Sequence, residues 1–419
     1  MKFSRFFVAL LGPVALAVSA PTAAEVALAV DEPGGVVRAG WPVTSGVPFG
    51  QGTLSDARTV TLWNSTGQTV PVQTDVLVRW PDGSVRWLLV DFQVDLAAGQ
   101  KKILKLRHAP GASAPPVASP LRVTTASGRT TIETGPLRIE LSADGFDPLG
   151  AVWLDRNGDG RFGTDERVTR GGGLFVRDLQ GRRFEAARAP AKIVVEESGP
   201  LRACVRVTGR HATDAGSLFR YVVRLHAFRG QPFVRCVYTF INDDQAAVMT
   251  SIEEIGMTLR LASEAGEGSG ATLGGHPGGA GRIFQIDEGH YELDGQAAGA
   301  RARGWAAEAG AKAGFAVGVR EFWQQWPKSI EARAGAVTLG LCPDFPAGYY
   351  DGKPLAEENK LYFALRRGVH TFKIGVAKTH EFWANFYAGP AAPGSMADFF
   401  SAVEEPLLAI GEPAYVSAT

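Results

Sequence analysis

Cysteine is nearly missing: Cys204, Cys236 and Cys342 are the only three in 419 residues. Three thiols cannot staple a chain of this size, so the fold must rest on hydrophobic burial instead of a disulfide framework. Cys204 and Cys236 both fall in expected strands. One bridge between them in an oxidising compartment, leaving Cys342 over, and three buried free thiols are both open readings. Net charge is missing as well, since Lys plus Arg and Asp plus Glu stand at 43 each. That balance argues against a nucleic-acid binder or a polybasic membrane-surface protein. The motifs GxSxG, P-loop, HExxH and paired CxxC are all absent. His211, His276 and His290 sit in stretches that read as polar loops, without ligand spacing. Glycoside hydrolysis by two carboxylates stays open, because such pairs meet only in space.

Long apolar runs are lacking beyond the first residues. There, Lys2 and Arg5 precede an apolar stretch from Phe6 to Ala20, followed by small residues to Ala24. This is the layout of a secretory signal peptide, residues 1–24, with cleavage after Ala24 because Pro21 disfavours a cut after Ala20. A secreted or periplasmic protein with no membrane span after cleavage is expected.

What the chain does have is Gly at 51 and Pro at 25, which suits many short strands and turns. Residues 25–108 alternate apolar and polar in short runs such as VPVQTDVLVRW and KKILKLRH, and read as a compact β domain. Within it WPDGS, residues 80–84, predicts a tight hairpin. Residues 109–119, APGASAPPVAS, read as a linker. From 120 to 390 strands recur over a length that fits one large antiparallel β-sandwich. The Gly-rich stretch 264–281 reads as a loop. In 391–419 the segment GSMADFFSAVEEP reads as one short helix with Ser395 as N-cap and Pro406 as stop. The fold class is therefore all-β.

Asp155, Asn157, Asp159, Gly160, Phe162 and Glu166 occupy positions 1, 3, 5, 6, 8 and 12 of a twelve-residue calcium loop. The flanks are strand-like and broken by Gly171 to Gly173, which excludes a helix-loop-helix sensor. A structural calcium ion held by Asp155, Asn157, Asp159, the Arg161 carbonyl and Glu166 is the expectation. A metal-free turn rich in Asp, Asn and Gly is the alternative.

Strand parity places Arg202 and Arg206 on one face of LRACVRV, and Arg220, Arg224 and His226 on one face of FRYVVRLHAF, with Arg235 added by the next strand. Guanidinium forks on a sheet face suit a chain that bears carboxylates. The plainer reading is an exposed face balanced by Glu196 and Glu197. In REFWQQWPKS, Trp323 and Trp326 stand among amides and Lys328, a mixture that stacks on sugar rings, although large aromatics are more often core. In GVAKTHEFW the parity of Phe372, Ile374 and Val376 continues into Lys378 and His380. These are a titratable pair for a cleft rim or a satisfied structural pair.

Taken together GVPFGQG (46–52), VPVQTDVLVRWPDGSVRWLLVDF (70–92), VVEESGPLRACVRVTGRH (194–211), RYVVRLHAFRGQPFVRCVYTFIN (220–242), FWQQWPKSIEA (322–332) and GVAKTHEF (375–382) resemble the exo-rhamnogalacturonan lyase and YetA-like family. The resemblance implies an N-terminal RIFT-type β-barrel, a central β-sandwich and a C-terminal α/α toroid. The sequence stops at EPLLAIGEPAYVSAT, about where the toroid is expected. It also implies an acidic plant polysaccharide or oligosaccharide as partner, handled by β-elimination or only bound. Elimination needs a cation on the carboxylate, a base and an acid. By residue chemistry Arg224 or Arg220 is nominated for the first role, and His380 or His226 with Lys378 for proton transfer. Trp323, Trp326, Arg202 and Arg206 are nominated for binding.

Overall fold

The computed structural model describes residues 24–109, 114–262, 270–276, 279–333, 335–352, 365–390 and 392–419. Residues 1–23 of the expected leader, 110–113 of the linker, 264–269 of the Gly-rich stretch and the first four residues of LYFALRRG lie outside the described residues.

Every strand pairing is antiparallel, as a chain of short alternating runs requires. In Lys101–His108, Lys101 and Lys105 lie on the face opposite buried Leu104 and Leu106, and Val85–Leu96 buries Leu88, Val90, Phe92 and Val94. These strands form two ladders. Val85–Leu96 is the centre of a three-stranded sheet between Arg38–Pro48 and Val72–Arg79. Ala24–Asp31 and Lys101–His108 belong to a five-stranded sheet. The WPDGS hairpin closes as expected, with Trp80 N donating to Ser84 O at 2.8 Å and Gly83 N to Trp80 O at 2.9 Å.

Among the described residues the sandwich sets a four-stranded sheet against one of 17 strands. Within the larger sheet Lys192–Ser198, Arg202–Thr213, Gly216–Phe228, Phe233–Ile241 and Ala377–Ala388 lie side by side. The expected 264–281 loop contains the strand Gly270–Leu273, paired with Trp305–Ala309. His211, read as a loop residue, is fully buried in Arg202–Thr213, where it takes or gives hydrogen bonds at Phe219 O and Tyr238 Oη. The three cysteines are free and buried. Cys204 and Cys236 cannot bridge: Cys204 is in register with His226 on one face of the sheet, whereas Cys236 is in register with Leu225 on the other.

The C-terminal helix spans Pro393–Glu404, starting two residues before Ser395 because Pro393 itself fits the first helical turn. A second short helix, Pro413–Ala418, follows. Between them Ala409–Gly411 joins the N-terminal domain by pairing with Ala24–Asp31. Phe399 and Phe400 share one hydrophobic core with Trp41 of the N-terminal domain and Phe228, Phe233 and Trp383 of the sandwich. Arg38 fixes the helix end: it is paired with buried Glu32 at 2.7 Å and donates to Ala402 O and Glu405 O at 2.6 and 2.8 Å. A guanidinium there satisfies carbonyls that the helix leaves open. The helix is thus seated where the two domains meet, and it borders both cavities described below.

Candidate functional site

The arginines of these strands share one face of the sheet, as parity predicts. Arg206 stands opposite Arg224, Arg210 opposite Arg220, and Cys204 opposite His226. Like charges directly across a ladder repel. Glu196 relieves this by accepting from Arg206 Nε at 2.6 Å and Arg224 Nε at 2.7 Å. The Arg224 hydrogen bond, and then that of Arg206, holds the Glu196 carboxyl below its ordinary range although burial opposes this. Arg206 and Arg224 are therefore committed to an intramolecular pair. Arg220 is exposed further along the same face.

At the other end of these strands the face meets the N-terminal domain. Arg202 is buried, donates from Nε to Asp91 Oδ1 at 2.7 Å, and contacts Glu197 through Nη2. Gln73 fixes the strand start, its Oε1 accepting from Leu201 N and Arg202 N at 3.0 Å. Arg202 Nη1 lies 3.2 Å from His226 Nδ1. A guanidinium only donates, so Nδ1 is the acceptor and the ring proton belongs on Nε2. Burial, and next the charges of Arg235, Arg202 and Arg224, push the His226 pKa down to about 3. His226 is thus a neutral hydrogen-bond donor.

A cavity of about 380 Å³ opens here, lined by Arg202, His226, Arg235, Arg320, Glu381 and Trp383 among others. Arg235 Nη2 donates to Glu381 Oε2 at 2.6 Å, and Trp383 Nε1 to Glu381 Oε1 at 2.9 Å. Arg320 is held by its backbone N–H on Glu381 O at 2.9 Å. The Nε atoms of Arg235 and Arg320 are buried with no hydrogen-bond partner among the described residues. Trp41 and Trp383, stacked at 6.1 Å, add an aromatic wall. Unpaired guanidinium donors beside an aromatic wall suit a planar anion attached to a ring.

The sheet separates the other nominated residues from this site. Lys378 and His380 are in register with Phe240 and Tyr238, on the face opposite His226 and the arginines. A turn at Gly375 also interrupts the parity assumed from Phe372 to Lys378. His380 is buried, and neither ring nitrogen has a partner among the described residues. Burial, and next the Lys328 charge, drive its pKa well down. Lys328, also fully buried, donates to Gln325 O and Leu341 O at 2.9 and 2.8 Å. The pair therefore faces the sandwich interior and no cleft rim. Trp323 lines a different cavity, beneath Arg301 at 3.9 Å. Trp326 packs against the small cluster of Tyr350 and Leu365. Arg320 and Glu381 do not stand out in the sequence, where REFWQQWPKS is marked by its aromatics and GVAKTHEFW by its Lys-His pair. The available signal was that Glu381 carries parity opposite to His380 and so joins the arginine face.

In the acidic loop the carboxylates turn onto their own backbone. Asp155 accepts from Gly158 N at 2.7 Å and Gly160 N at 2.8 Å, Asn157 from Asp159 N, Asp159 from Arg161 N, and Glu166 from Arg156 N and Gly163 N. Among the described residues no three His, Cys, Asp or Glu side chains converge to hold a metal. A calcium ion would need these oxygens to turn toward a common centre.

Comparison with known proteins places both β domains. The sequence matches the family described as PcRGLX-like N-terminal RIFT barrel domain over residues 35–102. It matches the PcRGLX-like protein central beta sandwich domain over 121–267 and 287–340. The protein of Bacillus subtilis strain 168 described as uncharacterized protein YetA is 24% identical over 213 residues, covering 48% of this chain and 23% of its own length. The chain thus spans about a quarter of that curated relative. Two solved structures share the fold at 10% identity. A glycosyl hydrolase family 38 protein from Enterococcus faecalis has a TM-score of 0.54, with 93% of this chain and 47% of that one covered. An alpha-mannosidase from E. faecalis V583 has 0.55, with 93% and 46%. Among the described residues no helix is long and apolar enough to cross a membrane.

Proposed function

The chain belongs to the PcRGLX-like family, and from that premise we propose that its junction cavity binds the uronate units of an acidic plant polysaccharide of the rhamnogalacturonan type. The family is carbohydrate-active. The observation that carries the reading is the pair of buried, unpartnered Nε donors on Arg235 and Arg320 in one cavity. A carboxylate is the ligand group that satisfies guanidinium donors in pairs. Arg202 and Arg235 are balanced by close ion pairs with Asp91, Glu197 and Glu381, whereas Arg320 has only a longer pair with Glu321 at 3.8 Å and is the least neutralised cation of the cavity.

Binding fits these residues better than cleavage. A general base works best with a pKa near the operating pH, whereas His226 is pushed to about 3 and its Nδ1 is engaged by Arg202. Cleavage by β-elimination is the second reading, favoured by the guanidinium cluster that would neutralise a uronate carboxylate. Incubation with rhamnogalacturonan I, followed by calorimetry and by ultraviolet absorbance of an unsaturated uronate product, tests both. Heat of binding without absorbance supports the first reading, rising absorbance supports the second, and neither signal from folded protein overturns both.

Export to a secreted or periplasmic location is part of the proposal. It is supported by the charge and apolar pattern of residues 1–24. The test is whether the mature protein isolated from its host begins at Glu25.

A further inference from the structure

A second cavity, of about 540 Å³, lies on the other side of the helix Pro393–Glu404, within the roughly 300–1,000 Å³ range of small-molecule sites. It is bounded by Gly34 of the N-terminal domain, by Arg303, Trp305 and Trp323 of the sandwich, and by Phe400 and Glu404 of the helix. Trp305 is 3% exposed and its ring stacks on Phe400 at 5.5 Å, yet its Nε1 donor has no partner among the described residues. A buried indole N–H without an acceptor is uncommon and calls for one. Glu404 is the obvious acidic partner in the wall, but its two carboxylate oxygens, at 3.1 and 3.2 Å, both face Glu321 N. Burial holds its carboxyl up at about 7 against the Glu321 amide and the Arg320 charge, so it both donates and accepts near neutrality. Trp323 supplies flat aromatic surface, stiffened by the Arg301 guanidinium.

We propose that this cavity is a second saccharide subsite that takes a neutral pyranose ring. Trp305 Nε1 would donate to a ring hydroxyl, Glu404 would exchange a hydrogen bond with another, and Trp323 would pack on the apolar face of the sugar. The wall sets Glu404 and Glu405 against Arg301 and Arg303, whereas the junction cavity sets three arginines against Glu381, so a carboxylate is less favoured here than there. The two cavities flank a single helix, with Arg320 lining one and the Glu321–Glu404 hydrogen bond closing the other. An acidic and a neutral unit would then be held on opposite sides of it. The inference rests on the saccharide reading above but on separate residues.

D-Galactose and D-galacturonate differ in whether the last carbon carries a hydroxyl or a carboxylate, and they separate the two sites by saturation-transfer NMR on the full chain. The wild type is expected to saturate both sugars. Trp305→Phe, which keeps the ring stack and removes only the N–H, should weaken galactose about fivefold, as loss of one hydrogen bond does. Trp323→Ala should weaken it about tenfold or more, and both variants should leave galacturonate unchanged. Galactose binding untouched by both variants overturns the inference. So does galacturonate binding in a wild type that ignores galactose, an outcome that leaves the uronate site standing. Absence of both signals from protein with a cooperative melting transition removes the saccharide reading as well.

Discussion

Arg202 Nε and Asp91 Oδ1 lie 2.7 Å apart and 111 residues apart in sequence, both nearly excluded from water. This pair ties an arginine-bearing strand to the N-terminal domain, and its Arg202 lines the junction cavity.

Removing one partner of a buried pair leaves the other charge desolvated. Asp91→Ala is expected to cost about 3–5 kcal/mol in denaturant unfolding. Glu196→Ala, whose partners Arg206 and Arg224 reach solvent, should cost under about 1 kcal/mol. Equal losses would mean that the domain junction is not stabilised as the buried pair implies.

The thiols give a second check. Burial, followed by the Glu196 charge, pushes Cys204 up to about 12, and burial alone raises Cys236. A thiol reagent at neutral pH should therefore leave the folded chain unlabelled. It should label all three cysteines after unfolding without reductant. Fewer than three labels on the unfolded chain would reveal a bridge that the opposed faces of Cys204 and Cys236 exclude.

Glu404 links stability to pH. Burial raises its folded carboxyl to about 7 from an unfolded value near 4.5, so the folded state binds the extra proton between those values. Its favourable contribution is present at low pH and lost as pH rises through 7. Glu404→Gln cannot ionise, so its melting temperature relative to wild type should be higher at pH 8 than at pH 5. A pH-independent difference would place Glu404 in water.

Calcium at the Asp155–Glu166 loop is a proposal supported by the six matched positions and the Gly160 bend. Saturating calcium should raise the melting temperature, by about 2.7 kcal/mol of stability at a hundred times Kd. Asp155→Ala should abolish the rise. No response in either protein identifies a self-satisfied turn.

Much of the β architecture was legible because a pleated strand writes its two faces as alternation. The shared face of Arg206 and Arg224, the buried leucines of Lys101–His108 and the WPDGS turn all follow from local pattern. Parity also names an apolar face for Lys378 and His380, and they lie on one although the turn at Gly375 interrupts the run. It could not say whether that face meets a cleft or a second sheet, because both look apolar along the strand. The helix start moved to Pro393 because proline favours the first turn over a serine cap two residues later. The candidate site was less legible. Leu89, Arg202, Arg320 and Glu381 come from four distant segments, and long-range strand pairing together with the packing of the C-terminal helix brings them around one cavity.

The most direct measurement is calorimetric titration of wild type and Arg320→Ala with an oligogalacturonate. Wild type should bind, and the variant should lose roughly ten- to a hundredfold in affinity, the worth of a hydrogen bond to a charged group. Its melting temperature should change little, since Arg320 Nε has no partner among the described residues and the variant loses only the long, solvent-reached pair with Glu321. Equal affinity in the two proteins, or no binding by wild type, would contradict a uronate site at the domain junction.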